Sequence, residues 1–308
     1  MKKLYLGFIL FFVSVYGFQE SALAKIKVVT TTTDLAAITQ EIGKDQVMVE
    51  SIARGYQDPH FVDAKPVYMI KLNQADLLVA IGLELEIGWL PSLVIGSRNP
   101  NLQEGRVGYV GAFKGIRLLE IPSSTVDRSQ GDVHPYGNPH YWLDPLNGKL
   151  IAKNIYDGLV ELLPSQAGFF KKNLEDFNRH LDHKIKEWDQ LMEPYRGTKI
   201  VTYHRSWSYF ANHFGLKVIG EVEPLPGIPP SPSSLARLAD DMVKENVKVI
   251  IMEPFYSGNG PDFIARKTGA HVMVLPSSVG GREEIQDYFD LFDYDVTKVV
   301  EVLQSFKK

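Results

Sequence analysis

One long amphipathic pattern in the middle of the chain constrains the fold more than any other feature. It runs from Ser165 to Glu193. Pro164 precedes it, Ser165 is the expected N-cap, and Pro194 stops it. At 1.5 Å per residue such a helix is about 43 Å long, enough to span two domains. Apolar side chains recur along it every three or four residues, which predicts one buried stripe: Phe170, Leu174, Phe177, Leu181, Ile185, Trp188 and Met192.

Short apolar strands alternate with helical patterns on both sides of this helix, an order typical of parallel sheets covered by helices. We predict an α/β fold of two similar lobes with parallel sheets, joined by one long rigid linking helix. The predicted parts are a signal peptide (1–24), an N-terminal lobe (25–164), the linking helix (165–194) and a C-terminal lobe (195–308). The predicted strands are 26–30, 47–52, 77–81, 107–110, 199–203, 217–222, 247–252 and 272–275, with helices at 235–244 and 262–268.

The N-terminus has the three parts of a secretory signal peptide. A charged start (1–3) precedes an apolar run (4–18) and an Ala-x-Ala cleavage site, so that Lys25 would begin the mature chain. The alternative is a membrane anchor, but about 15 apolar residues are fewer than the roughly 20 that a span needs. The chain has no cysteine, which excludes a lipid anchor on cysteine and disulfides. We predict a soluble mature protein in the periplasm.

The charge of the chain bears on its partners. The whole chain carries a formal charge of -4, and the leader contributes +1 from two lysines and one glutamate, which leaves about -5 for the mature protein. This acidic balance argues against nucleic acid as a partner.

Three histidines occupy turns beside a proline or at the end of a predicted strand. They are His60 in Asp58-Pro59-His60, His140 in Asn138-Pro139-His140, and His204 directly after the strand 199–203. Ligands bind beyond the carboxyl ends of strands in open α/β sheets, and the two prolines restrict their loops. Taken singly, each histidine could be a hydrogen-bonded loop or core residue. Together they predict one metal site, because three imidazoles suit zinc and similar ions.

The other five histidines have weaker patterns. His180 and His183 are predicted to be solvated on the linking helix, with a weak metal pair as the alternative. His213 and His271 have the pattern of packing residues. His134, in the loop before the Asn-Pro-His segment, could feed metal to the site or replace one of its ligands.

The chain resembles a known family at these positions. Asp58 to His60, Asn138 to Pro145, the Tyr203-His204 pair and the long helix are similar to those of the receptors of ABC-type zinc and manganese importers, the periplasmic solute-binding proteins of the zinc-uptake class. The resemblance covers the whole mature chain. It implies one metal ion buried between two lobes, Zn²⁺ as the transported ligand with Mn²⁺ as the alternative, and a monomer that delivers the ion to an inner-membrane ABC permease. The implied first three ligands are His60, His140 and His204.

The sequence departs from this family pattern at the fourth ligand. The family usually has an aspartate just after the last strand, whereas 274–281 contains no carboxylate here. Water or a carboxylate from elsewhere would then take that position, and Glu253, after the strand 247–252, is the first candidate. The loop before His140 also lacks the His-rich insertion of many zinc members.

Two further residues are predicted to support the ligands from behind. Metal-bound imidazoles usually donate their other N–H to a carboxylate or carbonyl, and Asp144 and Tyr203 are near enough in sequence to contribute. Asp144 could instead cap the turn before Pro145.

Three functions are compatible with these patterns. A binding protein that captures Zn²⁺ and delivers it to a permease fits the leader, the two lobes and the three histidines, and it is not an enzyme. A zinc-dependent hydrolase is the alternative, since three histidines and an open position also hold catalytic zinc, with Glu253 as a general base. The chain has no His-Glu-x-x-His helix to support it. An adhesin would need an anchor or repeat that the sequence does not contain.

Overall fold

The structure, a computed structural model, describes residues 25–124, 134–225 and 227–306. The predicted signal peptide, residues 1–24, lies outside the described residues, as do residues 125–133 of the loop before His140. Within the described residues, every helix is too short or too polar to cross a membrane.

The strands form two sheets of the same design. In chain order they are β1 (Ile26–Thr30), β2 (Val47–Ser51), β3 (Leu77–Ala80), β4 (Tyr109–Gly111), β5 (Lys199–Thr202), β6 (Lys217–Glu221), β7 (Val249–Met252) and β8 (His271–Val274). They build two four-stranded parallel sheets, ordered β2-β1-β3-β4 and β6-β5-β7-β8. The central strands β3 and β7 are buried along their whole length, because helices cover both faces of each sheet. Each strand begins and ends within two residues of its predicted range.

The helices repeat the same order in both lobes. They are α1 (Thr33–Gly43), α2 (Pro66–Gln74), α3 (Leu90–Ser97), α4 (Asn147–Leu162), α5 (Ala167–Met192), α6 (Ser208–Phe214), α7 (Pro232–Lys244), α8 (Asn259–Thr268) and α9 (Tyr288–Ser305). Strand and helix alternate on each side of α5, so α1 to α4 correspond to α6 to α9. The predicted α/β fold of two similar lobes joined by one long helix is confirmed.

The linking helix α5 is the predicted one, but it begins later than expected. All seven residues of the predicted apolar stripe are buried. The prediction of Ser165 as its N-cap is wrong: Pro164–Gln166 is a short 3₁₀ turn, and Gln166 precedes the helix without a side-chain capping bond. The fixed backbone of Pro164 starts that tighter turn, which leaves Ser165 inside it.

One apolar core continues from lobe to lobe. Val28 and Val79 of the first sheet and Ile200 and Ile251 of the second belong to the same buried cluster, with the α5 stripe between them. The helix also packs on α1, α4 and α9. The shared core therefore fixes the two lobes relative to each other. The division of the chain at residues 164 and 194 stays a prediction.

Candidate metal centre

The three predicted histidines meet between the lobes. Their ring centroids are 5.1 Å (His60 to His140), 5.4 Å (His60 to His204) and 5.3 Å (His140 to His204) apart. One ligand atom from each lies within 4.8 Å of the others. Because the three distances are nearly equal, the rings surround one point instead of forming a row. The arrangement brings together loops that are far apart in the chain.

Asp58 holds the His60 ring in a fixed orientation. Its Oδ1 accepts hydrogen bonds from the His60 backbone N–H at 2.9 Å and from Nδ1 at 2.7 Å. Burial opposes ionisation of Asp58, but the hydrogen bonds and charge of His60 outweigh it and lower the pKa of this carboxyl. With Nδ1 donating, Nε2 is the nitrogen of His60 that is free to bind a metal.

Asn138 does the same for His140. Its Oδ1 accepts from the His140 backbone N–H and from Nδ1, both at 2.9 Å. Its Nδ2 donates to the backbone oxygen of Arg205 at 2.8 Å and to Glu120 at 3.1 Å. Because Arg205 follows His204, Asn138 connects one metal-site loop to the turn that carries another.

His204 is oriented less tightly. It follows β5 by two residues, so the end of the strand determines where it lies. Its Nδ1 is 3.5 Å from Glu223 Oε1, and within the described chain this nitrogen has no partner that meets hydrogen-bond geometry. Glu223 Oε1 accepts instead from the Gly227 backbone N–H at 2.8 Å.

Burial favours the neutral form of two of the three central histidines. Burial, with the neighbouring imidazoles as a smaller cause, lowers the pKa of His140 well below its usual value. Burial also lowers the pKa of His204, which Glu223 partly opposes. A neutral imidazole has a lone pair to offer, so the lowered pKa values of His140 and His204 favour metal binding by these two ligands.

A cavity of about 310 Å³ opens beside His60 and His204. Asp58 and Glu223 line it together with the aromatic rings of Phe61 and Tyr256. The two carboxylates would favour the approach of a cation.

His134 also reaches the cluster. Its Nε2 is 3.2 Å from His60 Nε2, and the two rings stack with centroids 5.3 Å apart. Burial, with the charges of His60 and His204 as smaller causes, lowers the pKa of His134 to about 3. The histidine that the sequence placed near the site therefore contacts one of the three central rings.

Glu253 is fully buried at the end of β7. Ser206 and Trp207 approach its carboxylate, but neither oxygen has a partner with hydrogen-bond geometry among the described residues. Burial raises the pKa of Glu253 to about 8. The mutually close set of ligand atoms consists of the three histidines, so Glu253 lies further out.

Asp144 does not support the predicted ligands. Its Oδ1 is 2.8 Å from Nδ1 of His213 and accepts from the Leu146 backbone N–H at 2.9 Å, which is the turn-capping alternative. His213, predicted as a packing residue, is buried between Asp144 and Asp189. Tyr203 stacks on Tyr256, with ring centroids 4.2 Å apart.

The remaining histidines lie away from the centre. His180 and His183 are exposed on α5, as predicted, where His180 stacks on Phe289 and His183 pairs with Glu187. The prediction that His271 packs inside is wrong, because it begins the edge strand β8 and is exposed.

Sequence reasoning missed the residues that orient the ligands. Asp58 and Asn138 each stand two positions before their histidine, with a proline between. That Asx-Pro-His spacing is a usable signal, since an Asx side chain readily bonds the backbone two residues on. Glu223 had no comparable signal, because it meets His204 only through the pairing of β6 with β5.

Sequence comparisons agree with this geometry. The family model of the zinc-uptake complex component A, periplasmic (ZnuA), matches residues 28–302. The high-affinity zinc uptake system protein ZnuA of Bacillus subtilis is 28% identical over 277 residues, 89% of this chain and 85% of that protein. The manganese ABC transporter substrate-binding lipoprotein PsaA of Streptococcus anginosus is 26% identical over 289 residues, 91% of this chain and 90% of that protein.

Solved structures have the same architecture. A crystal structure of ZnuA aligns with a TM-score of 0.77 and 26% identity, over 90% of this chain and 99% of that chain. A cadmium-bound periplasmic metal-binding protein from Candidatus Liberibacter asiaticus aligns with a TM-score of 0.75 and 25% identity, over 91% and 100% of the two chains. The chain belongs to the ZnuA family, and it is a metal-binding solute-binding protein of the ABC-importer type, not an enzyme.

Proposed function

We propose that this protein captures a divalent transition-metal ion, Zn²⁺ before others, between its lobes and delivers it to an ABC permease. The observation that carries the proposal is the convergence of three buried histidines, His60, His140 and His204. Two of them donate Nδ1–H to a side chain behind them, which leaves Nε2 as the ligand atom. This is the usual arrangement of metal-binding imidazoles.

The ligand set supports zinc over manganese. Imidazole nitrogen suits Zn²⁺, whereas Mn²⁺ prefers carboxylate and water oxygen. The mutually close set contains three imidazoles, and the carboxylates of Asp58 and Glu223 lie behind His60 and His204. Relatives are named for both zinc and manganese, so the choice of metal rests on these ligands.

Glu253 is the fourth ligand that the sequence favours. Its buried carboxylate has no hydrogen-bond partner of good geometry in the described part of the chain, and a buried polar group of that kind calls for an explanation. A nearby cation would compensate for the burial of its charge. Glu253→Gln tests this role in the X-ray absorption and Co²⁺ series described in the next subsection.

The capture step would take place in the periplasm, after removal of the predicted signal peptide. The protein would act there as a monomer, with the inner-membrane ABC permease as its partner. Relatives named as ABC transporter substrate-binding lipoproteins support an extracytoplasmic role of this kind.

The test is metal analysis of the mature chain, from Lys25 onward, with competition titrations of Zn²⁺ and Mn²⁺. We expect one tightly bound Zn²⁺ per chain. His60→Ala, His140→Ala and His204→Ala should each weaken it by more than the roughly 10–100-fold typical of an outer partner. His183→Ala, an exposed histidine on α5, is the matched control and should leave the affinity unchanged.

Two outcomes would contradict the proposal. A protein without tight metal, or with binding indifferent to the three histidines, would have the family fold without its site. Tighter binding of Mn²⁺ than of Zn²⁺ would make the protein a manganese receptor instead.

A further inference from the structure

His134 approaches the three-histidine cluster from the side of His60. Asp58 occupies Nδ1 of His60, so the metal-binding nitrogen of His60 is Nε2. That same Nε2 faces Nε2 of His134 at 3.2 Å. The contact of His134 is therefore with the metal-facing side of His60.

The distance between these two nitrogens fits one shared metal. Zinc–nitrogen bonds of about 2.0–2.1 Å at a tetrahedral angle place two ligand nitrogens roughly 3.3 Å apart. The His60 to His134 separation of 3.2 Å is close to that value. A metal between the two nitrogens could therefore bind both of them without a large movement of either ring.

The other nitrogen of His134 has a partner as well. The backbone of Leu83 hydrogen-bonds the ring, and with Nε2 facing His60 the nitrogen available for that bond is Nδ1. An imidazole whose Nδ1 is bound to a backbone carbonyl is oriented to bind metal through Nε2.

Leu83 belongs to an unusual turn. Gly82, Leu83 and Glu84 all have positive φ, at 77°, 55° and 66°. For the two residues other than glycine this backbone conformation is strained. Buried Glu86 stabilises the turn, because its carboxylate accepts the Ile81 and Gly82 backbone N–H groups at 2.8 and 3.0 Å. Strain of this kind occurs at functional sites, and here it presents the backbone that His134 bonds.

The nearby carboxylates are less well placed. Asp58 is engaged by His60, and Glu223 by Gly227. Glu253 and His134 both lie outside the mutually close set, but only His134 has an atom at ligand spacing from one of its members.

We infer that His134 is the fourth ligand, so that four imidazoles surround the metal and the carboxylates stay behind them. This inference rests on the proposed function. Zn²⁺ with four neutral imidazoles carries two positive charges, which the carboxylates of Asp58 and Glu223 would balance through His60 and His204. Such an all-nitrogen site excludes Mn²⁺ more strongly than a site with one carboxylate ligand.

The experiment counts the imidazoles on the bound metal. X-ray absorption of the Zn²⁺-loaded protein and the visible spectrum of the Co²⁺-loaded protein are compared for wild type, His134→Ala, His134→Gln and Glu253→Gln. His183→Ala serves as the control. We expect four imidazoles in wild type and in Glu253→Gln, and three in both His134 variants with an oxygen in the fourth position. Zinc affinity should fall more than about tenfold in those variants, with a smaller preference over Mn²⁺.

The outcomes separate this inference from the proposed function. An unchanged imidazole count and Co²⁺ spectrum in both His134 variants would overturn the inference, as would a loss of one ligand in Glu253→Gln. If His204→Ala weakens zinc binding as expected in the competition titration, the three-histidine site stands even when the inference about His134 fails. If wild type binds no metal, the proposed function fails first. Thermal melting of the metal-free variants shows whether a change in affinity reflects coordination or folding.

Discussion

The two lobes share one strand order but use corresponding segments for different tasks. The segments after β2 and β4 in the N-terminal lobe carry His60 and His140. The corresponding segment after β6 carries Glu223, and His204 lies after β5 instead. The segment after β1, which corresponds to that of His204, carries Asp34, whose Oδ1 accepts the Val279 backbone N–H from the opposite lobe. The scaffold is repeated, whereas the chemistry of its loops is not.

The lobes also differ in how firmly they hold a histidine. His60 and His140 each make two hydrogen bonds to an Asx side chain two residues earlier. Within the described parts of the chain, the only polar side chain near His204 Nδ1 is Glu223, whose Oε1 is 3.5 Å away. The N-terminal lobe therefore presents ligands held by short hydrogen bonds, and the C-terminal lobe presents a buried one whose Nδ1 has no partner of hydrogen-bond geometry among the described residues. Ligands fixed in advance lower the entropic cost of binding.

The two lobes share one core and should unfold as one unit. Trp188→Ala tests this, and it has the largest expected effect on stability. Trp188 is buried in the shared core, with its ring 5.0 Å from Phe292 and its Nε1 bonded to Asp293. We expect a loss of about 3–5 kcal/mol in the free energy of unfolding, within one cooperative transition. Guanidinium unfolding followed by circular dichroism measures it. Leu191→Ala, at a half-exposed position on the same helix, should change stability by less than about 0.5 kcal/mol. Two separate transitions in wild type would show that the lobes unfold independently.

The segments after β1 and β5 carry Asp34 and His204, and the pH dependence of the free energy of unfolding tests the role of Asp34. Burial raises the pKa of Asp34 to about 7. Asp295 and Tyr288 are titratable groups close enough to interact with its charge. Between about pH 4 and pH 7 the folded state keeps the Asp34 proton, whereas the unfolded state releases it near pH 4. The protonated carboxyl of Asp34 therefore contributes its full stabilisation below about pH 4, and this stabilisation is lost as pH rises to about 7. The upper limit is about 4 kcal/mol, from about three pKa units.

Asp34→Asn should therefore stabilise the protein at pH 8 and flatten the decline between pH 4 and 7. Denaturant unfolding across that range measures it. Asp63→Asn, an exposed carboxylate, is the control. Burial also raises the pKa of Asp295, so part of the decline in stability between pH 4 and 7 should remain in the Asp34→Asn variant. An unchanged pH profile would mean that Asp34 is ionised in the folded state.

Removing the outer partners tests the difference in how firmly the histidines are held. Asp58→Ala and Asn138→Ala should each weaken zinc binding by roughly 10–100-fold, because each frees an imidazole that was fixed. Glu223→Ala should cost less than about tenfold, since its contact with His204 is long. Competition titration measures all three. Equal losses of zinc affinity in all three variants would show that the two lobes hold their histidines equally firmly.

Exchanging the two Asx residues gives the smallest effect and the sharpest contrast. Asp58→Asn turns the first loop into a copy of the second, and both hydrogen bonds to His60 can be kept. We expect a loss of about 1 kcal/mol or less, a few-fold in affinity, from the weaker neutral acceptor. Asn138→Asp should cost more, because it removes the donor to Arg205 and places a carboxylate beside Glu120. Zinc titration at one pH measures both, and the reverse order would contradict these bonding roles.

Most of the fold could be predicted because its elements have strong local patterns. The stripe on α5 and the short apolar strands follow from periodicity alone. The errors lie at element ends. Helix α7 begins at Pro232, three residues before the predicted start, because Ser231 caps it by accepting the Ser234 backbone N–H. Ser165, which has the same residue type as that cap, lies inside a turn instead.

The site was predictable to the extent that its residues have local context. His60, His140 and His204 stand in turns that the sequence marks with proline or with the end of a strand, and they meet as predicted. Asp144, predicted to stand behind a metal ligand with turn capping as the alternative, caps its turn through the Leu146 backbone N–H. Its contact with His213 could not be predicted, because His213 is distant in sequence and approaches only through the packing of α6. His271 lies in a strand whose edge position the sequence does not reveal.

The sequence by itself determined the two α/β lobes, the helix between them and the three histidines, since hydrophobic period and turn chemistry are properties of neighbouring residues. Only the tertiary structure decided which groups stand behind those histidines and which side chain is close enough to join them. Hydrogen bonds and metal coordination depend on distances of a few tenths of an ångström between residues far apart in the chain. Those distances are fixed by the packing of the lobes around their shared core, and local sequence patterns contain no record of it.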